Sequence, residues 1–139
     1  MALSQRIQSL RKSTPGCRSL AYVDLSARLV LGSDSDLPAP PQEALDALCL
    51  RAARLLSGPI AAAAGEALAL DGPPGEAIAL HNGRIELFLR APGAPDEALC
   101  CVLDGAADPE PALAVLRAGI GAILPEDTAQ AAAATERGP

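Results

Sequence analysis

Apolar and polar positions alternate along the chain with periods that change several times, and each change marks an element. Leu3, Ile7 and Leu10 lie at i, i+4 and i+7, which predicts a first helix stopped by Pro15-Gly16. Residues 17–24 and 27–31 read as two strands joined by a short turn near Leu25-Ser26. Gly32-Ser33-Asp34-Ser35-Asp36, followed by Pro38, Pro40 and Pro41, reads as a solvated loop. From Gln42 to about Ser57 apolar residues fall at 45, 48, 49, 52, 55 and 56, the stripe of an amphipathic helix that Gly58-Pro59 stops. Residues 60–70 are alanine-rich and fit either a second helical piece or an irregular return, and Asp71-Gly72-Pro73-Pro74-Gly75 breaks the chain.

The second half opens on a hairpin. Residues 77–81 face 84–90 across Asn82-Gly83, a pair suited to a two-residue type I′ turn. Ile85, Leu87 and Leu89 alternate with Arg84, Glu86 and Arg90, so the second strand has one apolar face. Pro92-Gly93-Ala94-Pro95 reads as a loop. Residues 98–103 are apolar at every position, which predicts a central strand covered on both faces. Asp108-Pro109-Glu110-Pro111 opens a final helix whose stripe is Leu113, Leu116, Ile120 and Leu124. The fold class is α+β, in the order helix, two strands, helix, three strands, helix, with helices on both faces of one sheet. Residues 1–125 are expected to form one domain, and the Ala-rich tail 126–139 to be disordered.

Composition narrows the function. The chain has 139 residues and a net charge of −6, with Tyr22 and Phe88 its only aromatic residues and no tryptophan. That charge is wrong for phosphate contacts, and bases have almost no ring to stack on, so no nucleic-acid partner is expected. No unbroken apolar run reaches the roughly 18 residues of a membrane span, and no membrane partner is expected. Residues 1–23 lack acids and carry Arg6, Arg11, Lys12 and Arg18, a composition shared with mitochondrial transit peptides, but their helical period favours the first helix.

Catalytic groups are scarce. His81 is the only histidine, and Cys17, Cys49, Cys100 and Cys101 have no C-x-x-C spacing, so no metal site is expected. Cys100 and Cys101 are adjacent and point to opposite faces of a strand. Buried, reduced thiols and a cytoplasmic location are the expectation. The serines have no plausible base, and neither a P-loop nor another cofactor motif is present, so no enzyme activity or cofactor is expected.

Leu50 breaks its local pattern. It lies roughly 155° from the centre of the buried stripe, beside Glu43, Asp46, Ala47 and Arg54. A single exposed leucine is ordinary; the sharper reading is that this outward face packs on a second copy or a partner, with Ala47 allowing close approach and Arg54 pairing with an acid such as Glu43. The 77–81 strand, carrying Ile78 and Leu80, would lie at a sheet edge with backbone groups free to pair with its own copy. Both features point to a two-fold homodimer.

The element order, Pro15-Gly16 before a strand ending Tyr22-Val23-Asp24, the amphipathic helix after the second strand, and the hairpin leading into Leu99-Cys100-Cys101-Val102 resemble the Roadblock / dynein light chain domain, a profilin-like layered fold. The resemblance spans residues 1–124. Two departures are the turn Leu25-Ser26-Ala27, which lacks a glycine, and the long segment 60–75. The resemblance implies a five-stranded antiparallel sheet with one helix on one face and two on the other. It implies dimerisation through the middle helix, at Ala47, Leu50 and Arg54, together with the 77–81 edge strand. It also implies a non-enzymatic scaffold or regulator of another protein, such as a Ras-like small GTPase or a motor or cytoskeletal component. The alternative from the layered layout is a small-molecule sensor of the PAS, GAF or profilin type, with a pocket between sheet and helix.

Overall fold

The computed structural model describes residues 2–36 and 38–123. The elements are α1 (Leu3–Ser13), β1 (Cys17–Asp24), β2 (Leu29–Ser35), α2 (Gln42–Ser57), α3 (Pro59–Ala67), β3 (Glu76–His81), β4 (Arg84–Ala91), β5 (Ala94–Asp104) and α4 (Pro109–Gly119), followed by a 3-10 turn (Ile120–Ala122). The strands form one antiparallel sheet in the order β2-β1-β5-β4-β3. Leu124, expected in the last helical stripe, and the tail 126–139 lie outside the described residues.

β5 is central because its side chains are apolar in both directions. Leu99, Cys101 and Leu103 join Leu20, Tyr22, Leu87 and Leu89 beneath α1 and α4. Ala98, Cys100 and Val102 join Ala21, Val23 and Phe88 beneath α2. The two rings are thus divided between the layers, each fully buried. The expected stripe of α2 is the observed one: Leu45, Leu48, Cys49, Ala52 and Leu56 are buried, and Leu55 packs at the margin.

Polar links fix the helices to the sheet. Arg51 of α2 makes a bidentate pair with Glu86 of β4, at 2.7 and 2.6 Å, and Glu86 is only 3% exposed. Arg11 of α1 pairs with Asp34 and Asp36 at 2.5 and 2.6 Å. Arg90 donates to the carbonyls of Leu56 and Pro95, joining the end of α2 to the β4–β5 turn. Asp108 caps α4 by accepting from the Glu110 amide, with Pro109 in the first turn, as the sequence predicts.

Three local expectations are corrected. The second strand is Leu29–Ser35 rather than 27–31, so Gly32–Ser35 is strand and not loop. The Asp24 carboxylate accepts from the amides of Ser26 and Ala27 and from the Ser26 hydroxyl, and Arg28 takes φ 56°, which prolongs the turn. The polar run then continues as an edge strand, where Asp34 meets Arg11 and Ser35 meets Ser19. A Cβ at Gly32 would lie 2.8 Å from Ile7 Cδ1 of the helix above, so a larger residue there would make that side chain shift. The expected loop at 92–95 shrinks to Pro92-Gly93, because Ala91 and Ala94 are already paired. The undecided 60–70 segment contains α3, with Pro59 in its first turn. The Asn82-Gly83 turn has φ 52° and 73°, the positive values its sequence predicts.

Taken together, Gln42–Ala67 is long and apolar enough on average to cross a membrane, although charged residues interrupt it. In this fold the apolar side of α2 forms the core under the sheet, and the backbone leaves the helical conformation at Gly58.

Arg51→Ala leaves the Glu86 carboxylate buried without its partner. Urea unfolding should show a loss of about 2–4 kcal/mol. Replacing Glu86 by Leu in the same chain should recover much of it, and a neutral Arg51→Ala would mean the pair does not anchor α2.

Candidate interaction surface

β3 is the edge strand that the sequence predicts. It pairs with β4, and its other side has no strand neighbour among the described residues. Ile78 lies opposite Leu87 and Leu80 opposite Ile85, so both point to the α1/α4 side of the sheet. They emerge past the edge of that layer and are 56% and 80% exposed. Ala77 and Ala79 point the other way and pack beside the α2 cluster. An open edge with two bare aliphatic side chains is where a strand of another molecule can add.

The start of β3 is held by α4. Arg117 donates two hydrogen bonds to Glu76, at 2.7 and 2.6 Å. These bonds hold the Glu76 carboxyl below its ordinary pKa, against a smaller opposing effect of burial.

On α2, Glu43, Asp46, Ala47 and Arg54 are exposed as expected. Leu50 is half-buried rather than open, so position on the helical wheel overstated its exposure. Neither Glu43 nor Arg54 forms an ion pair among the described residues. α2 crosses the sheet and reaches every strand, β3 included. The six residues expected at an interface, Glu43, Ala47, Leu50, Arg54, Ile78 and Leu80, divide into these two groups. The two groups do not form one flat patch: Ile78 and Leu80 point away from α2, whereas the strand's backbone edge faces sideways.

A cavity of about 800 Å³ opens beside the first half of α2. Leu45, Leu48 and Val102 supply its apolar wall, the Arg51–Glu86 pair lies within it, and His81 and Arg84 stand at the hairpin end. Glu43 and Ala47 border it as well. No cluster of three or more His, Cys, Asp or Glu side chains able to hold a metal occurs among the described residues.

Other bare aliphatic side chains escaped the sequence reading: Leu29 and Leu31 at the β2 edge, and Ile60, Leu68 and Leu70 in and after α3. For α3 the alanine-rich run, with larger residues at 60 and 68, was the available signal.

Comparison with known proteins gives the fold. The Roadblock/LC7 domain from Streptomyces avermitilis superposes with a TM-score of 0.70 at 15% identity, covering 88% of this chain and 95% of that one. The gliding protein MglB from Thermus thermophilus gives 0.71 at 19% identity, covering 88% and 89%. MglC from Myxococcus xanthus gives 0.61 at 11% identity, covering 88% and 97%. No known family's sequence model matches the chain, and no curated protein matches it. The chain has the Roadblock/LC7 fold.

Because folding lowers the pKa of Glu76, its contribution to stability is complete above the carboxyl's unfolded value and fades as pH falls through the lower folded value. A carboxyl NMR titration should find Glu76 below the ordinary glutamate range, and Arg117→Gln should return it there. An unchanged titration in Arg117→Gln would remove the tether between α4 and the edge strand.

Proposed function

We propose that this chain is a non-enzymatic, dimeric regulatory or scaffold domain that binds another protein. The observation that carries the reading is the β3 edge, which bears Ile78 and Leu80 and has no strand neighbour among the described residues; α2 adds an outward face of small and charged side chains. In a two-fold dimer, β3 would meet β3 of the second copy and α2 would meet α2. Ala47 then allows the helices to approach closely. Glu43 and Arg54 lie eleven positions apart on one helix, so antiparallel packing brings the Glu43 of one copy toward the Arg54 of the other. Leu50 sits between them, and its partial burial leaves enough surface to seal such a contact.

A Ras-like small GTPase is the partner class that the fold resemblance suggests, with a motor or cytoskeletal component as a further candidate. The protein is placed in the cytoplasm on this reading, in keeping with its four free, buried thiols. Among the solved structures of this fold, one is described as MglB in a tetrameric arrangement. That assembly belongs to that protein, but it shows the fold tolerating self-association.

The cavity beside α2 favours a second reading, a small-molecule sensor. Glu43 and Ala47 border both the cavity and the proposed dimer face, so a ligand there would act on assembly. A ligand that binds the folded state raises the melting temperature. A metabolite library without any shift rejects this reading.

Light scattering should give twice the 14.0 kDa mass of the chain. Leu50→Glu and Ala47→Glu should each weaken the dimer by about 10–100-fold while the circular dichroism stays native. A monomeric wild type, or unchanged mass in both variants, overturns the dimer. For the partner, titration calorimetry against the GTP-loaded Ras-like proteins of the same genome should give binding to at least one, and binding to none rejects that class.

A further inference from the structure

Two of the four thiols meet across neighbouring strands. Cys101 of β5 donates an S–H···S hydrogen bond to Cys17 at the start of β1, with the sulfur atoms 3.3 Å apart. The contact depends on a register shift between Cys17 and Ser19. Cys17 pairs with Leu103 and Ser19 with Val102, so the shift carries the Cys17 side chain onto the same face as Cys101. Ordinary alternation would not reveal this pair, and the residues are 84 positions apart.

The two cysteines differ in access. Cys101 is fully buried, whereas Cys17 is 7% exposed and lies in the wall of a cleft of about 410 Å³. Arg11, Lys12, Arg18, Asp36 and Asp104 surround that cleft, and Lys12 points to solvent. The other thiols are elsewhere: Cys49 and Cys100 lie in the α2 layer, on the opposite face of the sheet.

We propose that Cys17 and Cys101 are a peroxide-sensitive thiol pair that closes to a reversible disulfide. The Cys17 thiol, which donates to the Ser19 carbonyl at 3.4 Å, gives up its proton as its sulfur attacks one oxygen of hydrogen peroxide entering by the cleft. The O–O bond breaks, giving the Cys17 sulfenic acid and a hydroxide that takes up the released proton. Cys101 sulfur then attacks the Cys17 sulfur, the S–O bond breaks, and the leaving hydroxide takes the Cys101 proton as water. Overall, two thiols and one peroxide give one disulfide and two waters. The order of events follows from access, since the cleft reaches Cys17 only. The hydrogen bond to Cys17, together with burial, raises the Cys101 thiol, which keeps it protonated until the sulfenic acid forms beside it.

The bond would tie β1 to β5 and constrain the long intervening chain in the unfolded state, where cross-links of long loops stabilise most. The pair lies in the α1/α4 layer, so it is independent of the α2 face that the dimer reading uses.

The test uses the full wild-type chain treated with hydrogen peroxide and then alkylated after denaturation. Two of the four thiols should become unreactive, a proteolytic peptide should link Cys17 to Cys101, and dithiothreitol should release it. The melting temperature should rise by about 5–10 °C. A chain carrying Cys49→Ser and Cys100→Ser should still form the link, and Cys17→Ser should abolish it. The proposal fails if all four thiols survive peroxide that oxidises a small thiol control, if Cys17 stops at sulfinic acid, or if the native chain links a different pair. The wild-type peptide map gives the answer even where a serine variant does not fold.

Discussion

A central strand that is apolar on both faces organises this protein. Between residues 98 and 103 every side chain of β5 is buried, so neither face of the sheet can be left to water. Burial at roughly 25 cal/mol per Å² of apolar surface makes the loss of either helical layer costly. α1 and α4 answer on one side and α2 on the other. Tyr22 and Phe88 are drawn into opposite layers by the same alternation, which leaves neither of them at the surface. Tyr22 keeps its phenol satisfied by donating to Glu97 at 2.9 Å, and burial raises its pKa.

Apolar layers alone would leave the helices free to slide, and arginine supplies the register. Lys12 is the only lysine in the chain, while arginines join α1 to β2, α2 to β4 and α4 to β3. The planar guanidinium suits these paired contacts because its donors match both oxygens of a carboxylate. The Arg51–Glu86 pair is the most deeply placed. It flanks the buried stripe of α2, whose packing on the sheet leaves Ala47 and Arg54 facing outward. The ion pair lies one turn from Ala47 and from Arg54, so the surface proposed for association borders it along the same helix.

Much of this was legible in the sequence where one periodicity dominated. The α2 stripe, the unbroken run of β5, the Asn82-Gly83 hairpin and the Asp108 cap each follow from local rules, and the sheet edge at β3 follows from placing β5 in the centre. Elsewhere local rules failed for identifiable reasons. Gly32-Ser33-Asp34-Ser35 looks like a loop because its strand character comes from partners far along the chain, Arg11 and Ser19. Pro92 and Pro95 suggested a longer loop, yet the hairpin tip accommodates them. Leu50 lies fully outward on an ideal wheel, but partial burial depends on neighbours that a wheel omits. The thiol contact between Cys17 and Cys101 arises from a strand irregularity, which no pattern of types along the chain encodes.

The same logic bears on how a surface so poor in aromatic residues could bind anything. Tight interfaces usually rest on a few ring or arginine anchors. Here an edge strand would contribute main-chain hydrogen bonds, which are indifferent to side-chain identity and by themselves invite uncontrolled addition of strands. Discrimination must then come from α2, where a small residue fixes the distance of approach and opposite charges at the two ends of one face fix its direction. A two-fold arrangement satisfies both demands at once, because each copy offers the same edge and the complementary charge order. A fold shared with proteins only 11–19% identical makes the same point: the layers need only the apolar pattern, which leaves the outward helix face free to vary.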